Sequence, residues 1–162
     1  MASSADVRRT PYVVRPATRD EAETLAAIIR TAFQTEAEVY GDIPPLHETA
    51  ADVEATFAAG DVTLAADLAG ATVGTIRGET RPDGTVVVRR LAVLPNSRGL
   101  GIARALLVAL EAAYPYATRF ELFTGDLNRA ALGLYESLGY ERIGTREVAP
   151  GIELVTLEKH VW

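Results

Sequence analysis

The chain has no cysteine. That absence excludes disulfides, a thiol nucleophile and any cysteine-ligated metal. Histidine is almost as scarce. His47 and His160 are the two present, too few and too far apart for a histidine-based metal motif, so no metal is expected. Basic residues are outnumbered. Sixteen Lys and Arg against twenty-two Asp and Glu leave a net charge of −6, whereas a duplex nucleic-acid binder shows a basic surface. No apolar run reaches the length of a membrane span. The first residues, Met1-Ala-Ser-Ser-Ala-Asp6, carry no basic stretch followed by an apolar one, and a cytoplasmic location is expected. An acidic surface accommodates a cationic partner such as an amine, although net charge by itself speaks first to solubility.

The 162 residues suit one domain with a real core. Residues 1–10 are polar and are expected to form a disordered tail ahead of a single domain over 11–162. The chain is organised around residues 85–113. Its first part, Thr85-Val-Val-Val-Arg-Arg-Leu-Ala-Val-Leu-Pro95, is β-branched and apolar and predicts a buried strand. Pro95 has no N–H to donate and ends it. Ile102, Leu106, Ala109, Leu110 and Ala113 then recur at helical spacing. Between strand and helix lies Arg98-Gly99-Leu100-Gly101. A strand, a glycine turn and a helix form an anion site, because the first helical turn presents unpartnered N–H groups and partial positive charge. Arg98 adds a full charge, and the expected ligand is a phosphate or pyrophosphate.

Three phosphate motifs compete for this turn. A Walker A loop needs Gly-Lys-Ser/Thr, which is missing. A dinucleotide fingerprint needs a third glycine where Arg104 stands, although Glu121 lies near the place of its ribose-binding acid. The third is Arg98-x-x-Gly101-x-Ala103 after a Leu-x-Val-x-Pro strand end, which resembles the acetyl-CoA pyrophosphate loop of the GCN5-related N-acetyltransferase (GNAT) family. A second segment carries the same resemblance. Thr124-Gly-Asp-Leu-Asn128 leads through Ala131 to Tyr135 and then Leu138-Gly139-Tyr140, similar to the family's second cofactor segment. Seven residues separate Asn128 from Tyr135, which puts both on one helix face, roughly 10 Å apart along the axis. Taken from the residues alone, Asn128 is a good helix cap and Tyr135 suits a half-buried core position.

The remaining elements support an α/β chain. A first strand is expected over 12–15. Thr18-Arg-Asp-Glu21 is a capping box for a helix over about 19–34. Residues 36–46 lose periodicity and hold Gly41, Pro44 and Pro45, so a loop is expected, followed by a helix near 47–59. Strands over 62–68 and 72–77 and the turn Arg81-Pro-Asp-Gly84 complete a three-stranded meander with the organising strand. A strand over 119–124, a helix from Asn128 to Gly139, and strands over 140–146 and 152–159 finish the chain. The fold class is thus α/β, a GNAT-like sheet of about seven mostly antiparallel strands flanked by about four helices.

The resemblance implies direct acetyl transfer from acetyl-CoA to a primary amine of a small molecule. It implies a cofactor site made by Leu91, Ala92, Val93, Arg98, Gly99, Leu100, Gly101, Ile102, Ala103 and Asn128. The Val93 N–H would face the developing oxyanion, and Tyr135 would protonate the leaving thiolate. Many members use a carboxylate base through ordered water, sometimes on the fourth strand, but here that strand carries Arg89 and Arg90 and no acid. Glu79, Glu121 and Asp42 are the substitutes, unless the enzyme draws on the neutral amine. In the family the segment after the first helix borders the acceptor, which makes Tyr40 and Asp42 the expected substrate contacts. The partner is an amine-bearing acceptor rather than nucleic acid or membrane, with a homodimer left open. Two other readings stand: an acetyltransferase of protein N-termini or lysines, and a non-catalytic acetyl-CoA-binding module.

Overall fold

The computed structural model describes residues 11–161; the expected tail at residues 1–10 lies outside them. Seven strands form one sheet: β1 (Tyr12–Pro16), β2 (Thr63–Leu68), β3 (Ala71–Thr80), β4 (Thr85–Val93), β5 (Arg119–Gly125), β6 (Glu141–Ala149) and β7 (Ile152–His160). Their order is β1-β2-β3-β4-β5-β7-β6. Every neighbouring pair is antiparallel except β4 and β5. A parallel pair needs a crossover, which α4 (Ile102–Ala112) provides. The other helices are α1 (Ala22–Ala32), α2 (Gln34–Tyr40), α3 (Ala50–Ala58) and α5 (Arg129–Ser137). The mixed α/β sheet and the meander of β2, β3 and β4 match the sequence expectation.

Two faces of the sheet bury two sets of side chains, as alternation along strands requires. Val86, Val88 and Val93 of β4 pack with Ile102, Leu106, Leu107 and Leu110 of α4, and Leu132 and Tyr135 of α5 join the same cluster. The intervening Ala92 packs with Ile28, Ile29 and Ala32 of α1. In β2, Ala65 packs with Leu25 of α1 and Val53 of α3. Helices α4 and α5 therefore cover one face, and α1 and α3 the other.

Residues 19–47 differ from the expected long helix and loop. The capping box at Thr18 and Glu21 forms, but it starts a single 3-10 turn, Arg19–Glu21. Helix α1 ends at Ala32. The chain then turns through Phe33 into α2, which occupies much of the expected loop. No residue of α2 is buried, so it lacks the apolar stripe by which a helix is read from sequence. Pro44–His47 form a second 3-10 turn, and Thr49 caps α3 by accepting from the Asp52 N–H at 3.2 Å.

Candidate active site

β4 and β5 are paired at three positions only, Thr85 with Arg119, Val86 with Phe120 and Val87 with Glu121. Beyond them the strands part. β4 stays on β3 as far as Val93, while β5 stays on β7 as far as Gly125. The sheet thus opens into a wedge with an unpaired backbone edge along β4.

A bulge sharpens the parting. Between the pairs Thr75–Ala92 and Arg77–Arg89, β3 advances two residues and β4 three. Arg90 sits in the bulge with φ +54°, a conformation a non-glycine residue rarely adopts. Beyond it the ladder fixes where Val93 directs its polar groups. Gly74 pairs with Val93, and the Leu94 N–H donates to the Val73 carbonyl at 2.8 Å. Antiparallel ladders alternate, so Val93 turns its N–H and C=O away from β3 and toward the wedge.

The wedge runs into the glycine turn. Gly99 and Gly101 have φ of +82° and +88°, which require glycine or a strained residue. Gly101 is the N-cap of α4, and no side chain caps that helix. The first-turn N–H groups are left for an outside acceptor, beside the helix's positive end. A Cβ on Gly99 would meet nothing within 4 Å, so the outer side of the turn is open. Leu100 is exposed and Ala103 half-buried, while Ile102 anchors the turn in the core. A pyrophosphate fits this cradle, and an amide-bearing arm fits the unpaired strand edge.

Arg98 is used differently from the expectation. Its guanidinium donates to the Val93 carbonyl at 3.2 Å, the Thr35 hydroxyl at 3.0 Å and the Ala32 carbonyl at 2.8 Å. It ties the end of β4 to the C-terminus of α1, where a cation complements the helix dipole. Its guanidinium is thus bonded to acceptors of β4, α1 and Thr35.

Side chains from the two faces meet at the open end of the wedge. The Asn128 carbonyl caps α5 by accepting from the Ala131 N–H at 3.2 Å. Its amide nitrogen lies 3.4 Å from Oε1 of Glu36 on α2. The Tyr40 hydroxyl accepts from the Leu127 N–H at 2.7 Å and donates to Asp126 at 3.2 Å. The Tyr40 ring fills the space beside Gly125, where a Cβ would lie 2.3 Å from it. Tyr40 is thus a strut holding α2 against the end of β5. Asp42, by contrast, is exposed and bonds to His47.

Tyr135 is buried among α4 and α5 residues, its ring 6.1 Å from that of Tyr140. Its hydroxyl makes no hydrogen bond among the described residues and is not fully covered. Burial, and then the charge of Glu36, push its pKa up to about 12. The phenol therefore holds its proton at neutral pH and can donate it.

The acids weighed as bases are engaged elsewhere. Glu121 pairs with Arg81 at 3.4 Å at the closed end of the wedge, and Glu79 pairs with Arg89. Two acids that local pattern did not single out are placed more tellingly. Glu48, 3% exposed, bonds to Arg77 and to Arg90, the latter at 3.2 Å. These arginines and Arg89 line a groove of about 510 Å³ between α3 and β3–β4. Glu36 has its Oε2 buried without any partner, the only such side-chain atom among the described residues. Among those residues there is also no metal-binding cluster and no helix long and apolar enough to cross a membrane.

Comparison with known proteins agrees with this fold. A family model described as an acetyltransferase (GNAT) domain matches residues 59–142. The N-acetylaspartate synthetase of Danio rerio is 36% identical over 122 residues, which cover 70% of this chain and 43% of that protein. The chain thus spans less than half the length of that curated relative. The PaiA N-acetyltransferase of Thermoplasma acidophilum, solved in complex with coenzyme A, superposes with a TM-score of 0.81 at 14% identity, covering 93% of this chain and 99% of that one. The ribosomal-protein-alanine N-acetyltransferase of Brucella melitensis does so with a TM-score of 0.72 at 25% identity, over 92% and 99%.

Proposed function

The chain belongs to the GNAT acetyltransferase family, and from that premise we propose that it moves an acetyl group from acetyl-CoA directly to a primary amine of a small molecule. The observation that carries this reading is the parting of β4 and β5 beside the uncapped glycine turn of α4. The solved relative that holds coenzyme A on the same fold supports acetyl-CoA as the donor.

Each residue has a task that follows from its position. The turn from Gly99 to Ala103 binds the pyrophosphate through backbone N–H groups, for which glycine leaves room. Leu91, Ala92 and Val93 present the strand edge that the amide-bearing arm completes. The Val93 N–H, turned into the wedge, is aimed at the oxygen on which negative charge develops, and such a preorganised donor contributes on the order of 3 kcal/mol. Asn128 borders the arm from the far side. Tyr135, protonated and unpartnered, gives its proton to the leaving sulfur. Arg98 acts indirectly by fixing the end of β4 through the Val93 carbonyl. Tyr40 and Asp42 remain the proposed acceptor contacts on the α2 side, Tyr40 through its place at the mouth.

The likeness to N-acetylaspartate synthetase favours a small amino-bearing acceptor. The likeness to a ribosomal-protein-alanine N-acetyltransferase favours a peptide N-terminus, and the test includes one. Thiol release from acetyl-CoA is measured with L-aspartate, ethanolamine, spermidine and an alanine-initiated peptide. The chain has no cysteine, so every thiol detected comes from the donor. Release with a small amine supports the proposal, and release with the peptide alone replaces it. Binding of acetyl-CoA without release from any acceptor identifies a binding module.

A further inference from the structure

Glu36 is the group in the wedge that the proposed chemistry leaves unused. An ionised carboxylate accepts several hydrogen bonds, and a buried oxygen with none costs on the order of 1–3 kcal/mol. Oε1 has the Asn128 amide at 3.4 Å, and Oε2, fully covered, has no donor among the described residues. The neighbouring groups do not supply one. The Tyr40 hydroxyl is taken by Leu127 and Asp126, and Arg98 by Ala32, Thr35 and Val93. Glu36 is therefore an acid in contact with Asn128 and near enough to Tyr135 for its charge to act on that phenol, and no cation among the described residues pairs with it.

We infer that Glu36 receives the ammonium of the acceptor and takes its proton. This deepens the acetyl-transfer reading and rests on it. A cationic donor matches the bare oxygen in both charge and hydrogen-bonding capacity, and such charge-assisted bonds are among the strong ones. The proton balance closes. Glu36 takes one proton from the ammonium and leaves a neutral amine. As the bond from nitrogen to the acetyl carbon forms and the carbon–sulfur bond breaks, Tyr135 gives its proton to sulfur. The second nitrogen proton restores the Tyr135 phenol. Glu36 returns its proton to water when the amide product leaves, so one thiol, one amide and one free proton result.

Glu36→Gln keeps the size of the side chain and removes its charge, so the test reads kinetics on a folded protein. Affinity for acetyl-CoA is measured by calorimetry, turnover by thiol release with the best of the four acceptors, and folding by Tm. The expected result is an unchanged Tm, acetyl-CoA affinity within about twofold, and acceptor kcat/KM lower by about 100-fold or more, the scale of one acid–base group. Parent-like turnover overturns the inference while leaving acetyl transfer intact. A loss of acetyl-CoA affinity with unaltered acceptor KM also overturns it, because Glu36 then holds the donor's pantetheine arm. Wild-type protein that releases no thiol with any acceptor removes the reading beneath the inference, and the inference falls with it.

Discussion

Glu48, just before α3, and Glu36, on α2, are both acids with covered oxygens, and their surroundings treat them in opposite ways. Glu48 is buried, with Arg77 on one oxygen and Arg90 on the other. Its backbone carbonyl takes Arg30 at 2.7 Å as well. Glu36 stands at the mouth of the wedge with one long contact and one bare oxygen. The first region is closed by its own charges and belongs to the scaffold. The second is incomplete without a molecule from outside. A carboxylate whose charge is already matched has little to offer a ligand, and one kept unmatched offers its whole interaction.

The comparison is broken most forcefully at Glu48. Glu48→Ala leaves Arg77 and Arg90 facing each other without a counter-ion, and removing one member of a buried pair costs about 3–5 kcal/mol. Urea unfolding is expected to show that loss, whereas Glu36→Gln leaves the midpoint in place. Equal loss from both changes would erase the distinction.

Turnover sharpens it from the other side. Tyr135→Phe removes the unpartnered hydroxyl and keeps the ring that packs on Tyr140. Turnover is expected to fall by about 10 to 1000-fold with acetyl-CoA affinity unchanged. Parent-like turnover would make Tyr135 a packing residue alone.

A smaller effect is expected at Gly125. An alanine there collides with the Tyr40 ring and must push α2 off the end of β5, a strain of about 1–3 kcal/mol. Acceptor KM is expected to rise, and acetyl-CoA affinity to stay, if α2 carries Glu36 into the site. An unchanged KM would detach α2 from the acceptor.

The smallest effect lies at the sheet edge, remote from both acids. Arg15 bonds to Glu21 and Asp67. Its guanidinium holds the Glu21 carboxyl at about 2, below the ordinary 4.5. A lowered carboxyl pKa stabilises the fold above the unfolded value, and that contribution disappears as pH falls from about 4.5 to about 2. The pair is partly exposed, so no more than about 1 kcal/mol is involved. Glu21→Gln is expected to flatten this acid limb of the stability curve while leaving stability above pH 6 lower than the parent's by that amount.

The strand–turn–helix unit and the proposed acceptor side differ in how far the sequence reveals them. The strand, turn and helix from Thr85 to Ala112 are local patterns: β-branched residues, Pro95, two glycines and an apolar stripe. The Asn128 cap is local too, since it reaches only Ala131. Helix α2 was hidden because none of its residues is buried. It is held from afar, by Tyr40 on Leu127 and Glu36 on Asn128. Arg98 stands where a phosphate contact is expected, yet its acceptors lie on Ala32 and Thr35, more than sixty residues earlier in the chain. The Glu48 pairs and the bare oxygen of Glu36 likewise depend on distant segments. The strand, turn and helix were legible because they are one local unit, and the proposed acceptor side was not because it is assembled across the fold.

The central claim is that the wedge and its glycine turn hold acetyl-CoA. Calorimetric titration of acetyl-CoA into the wild-type protein, with NAD as the control ligand, tests it most directly. Saturable binding of one acetyl-CoA per chain, with none of NAD, is the predicted result. Binding of NAD with no response to acetyl-CoA would contradict the account and assign the same turn to a dinucleotide.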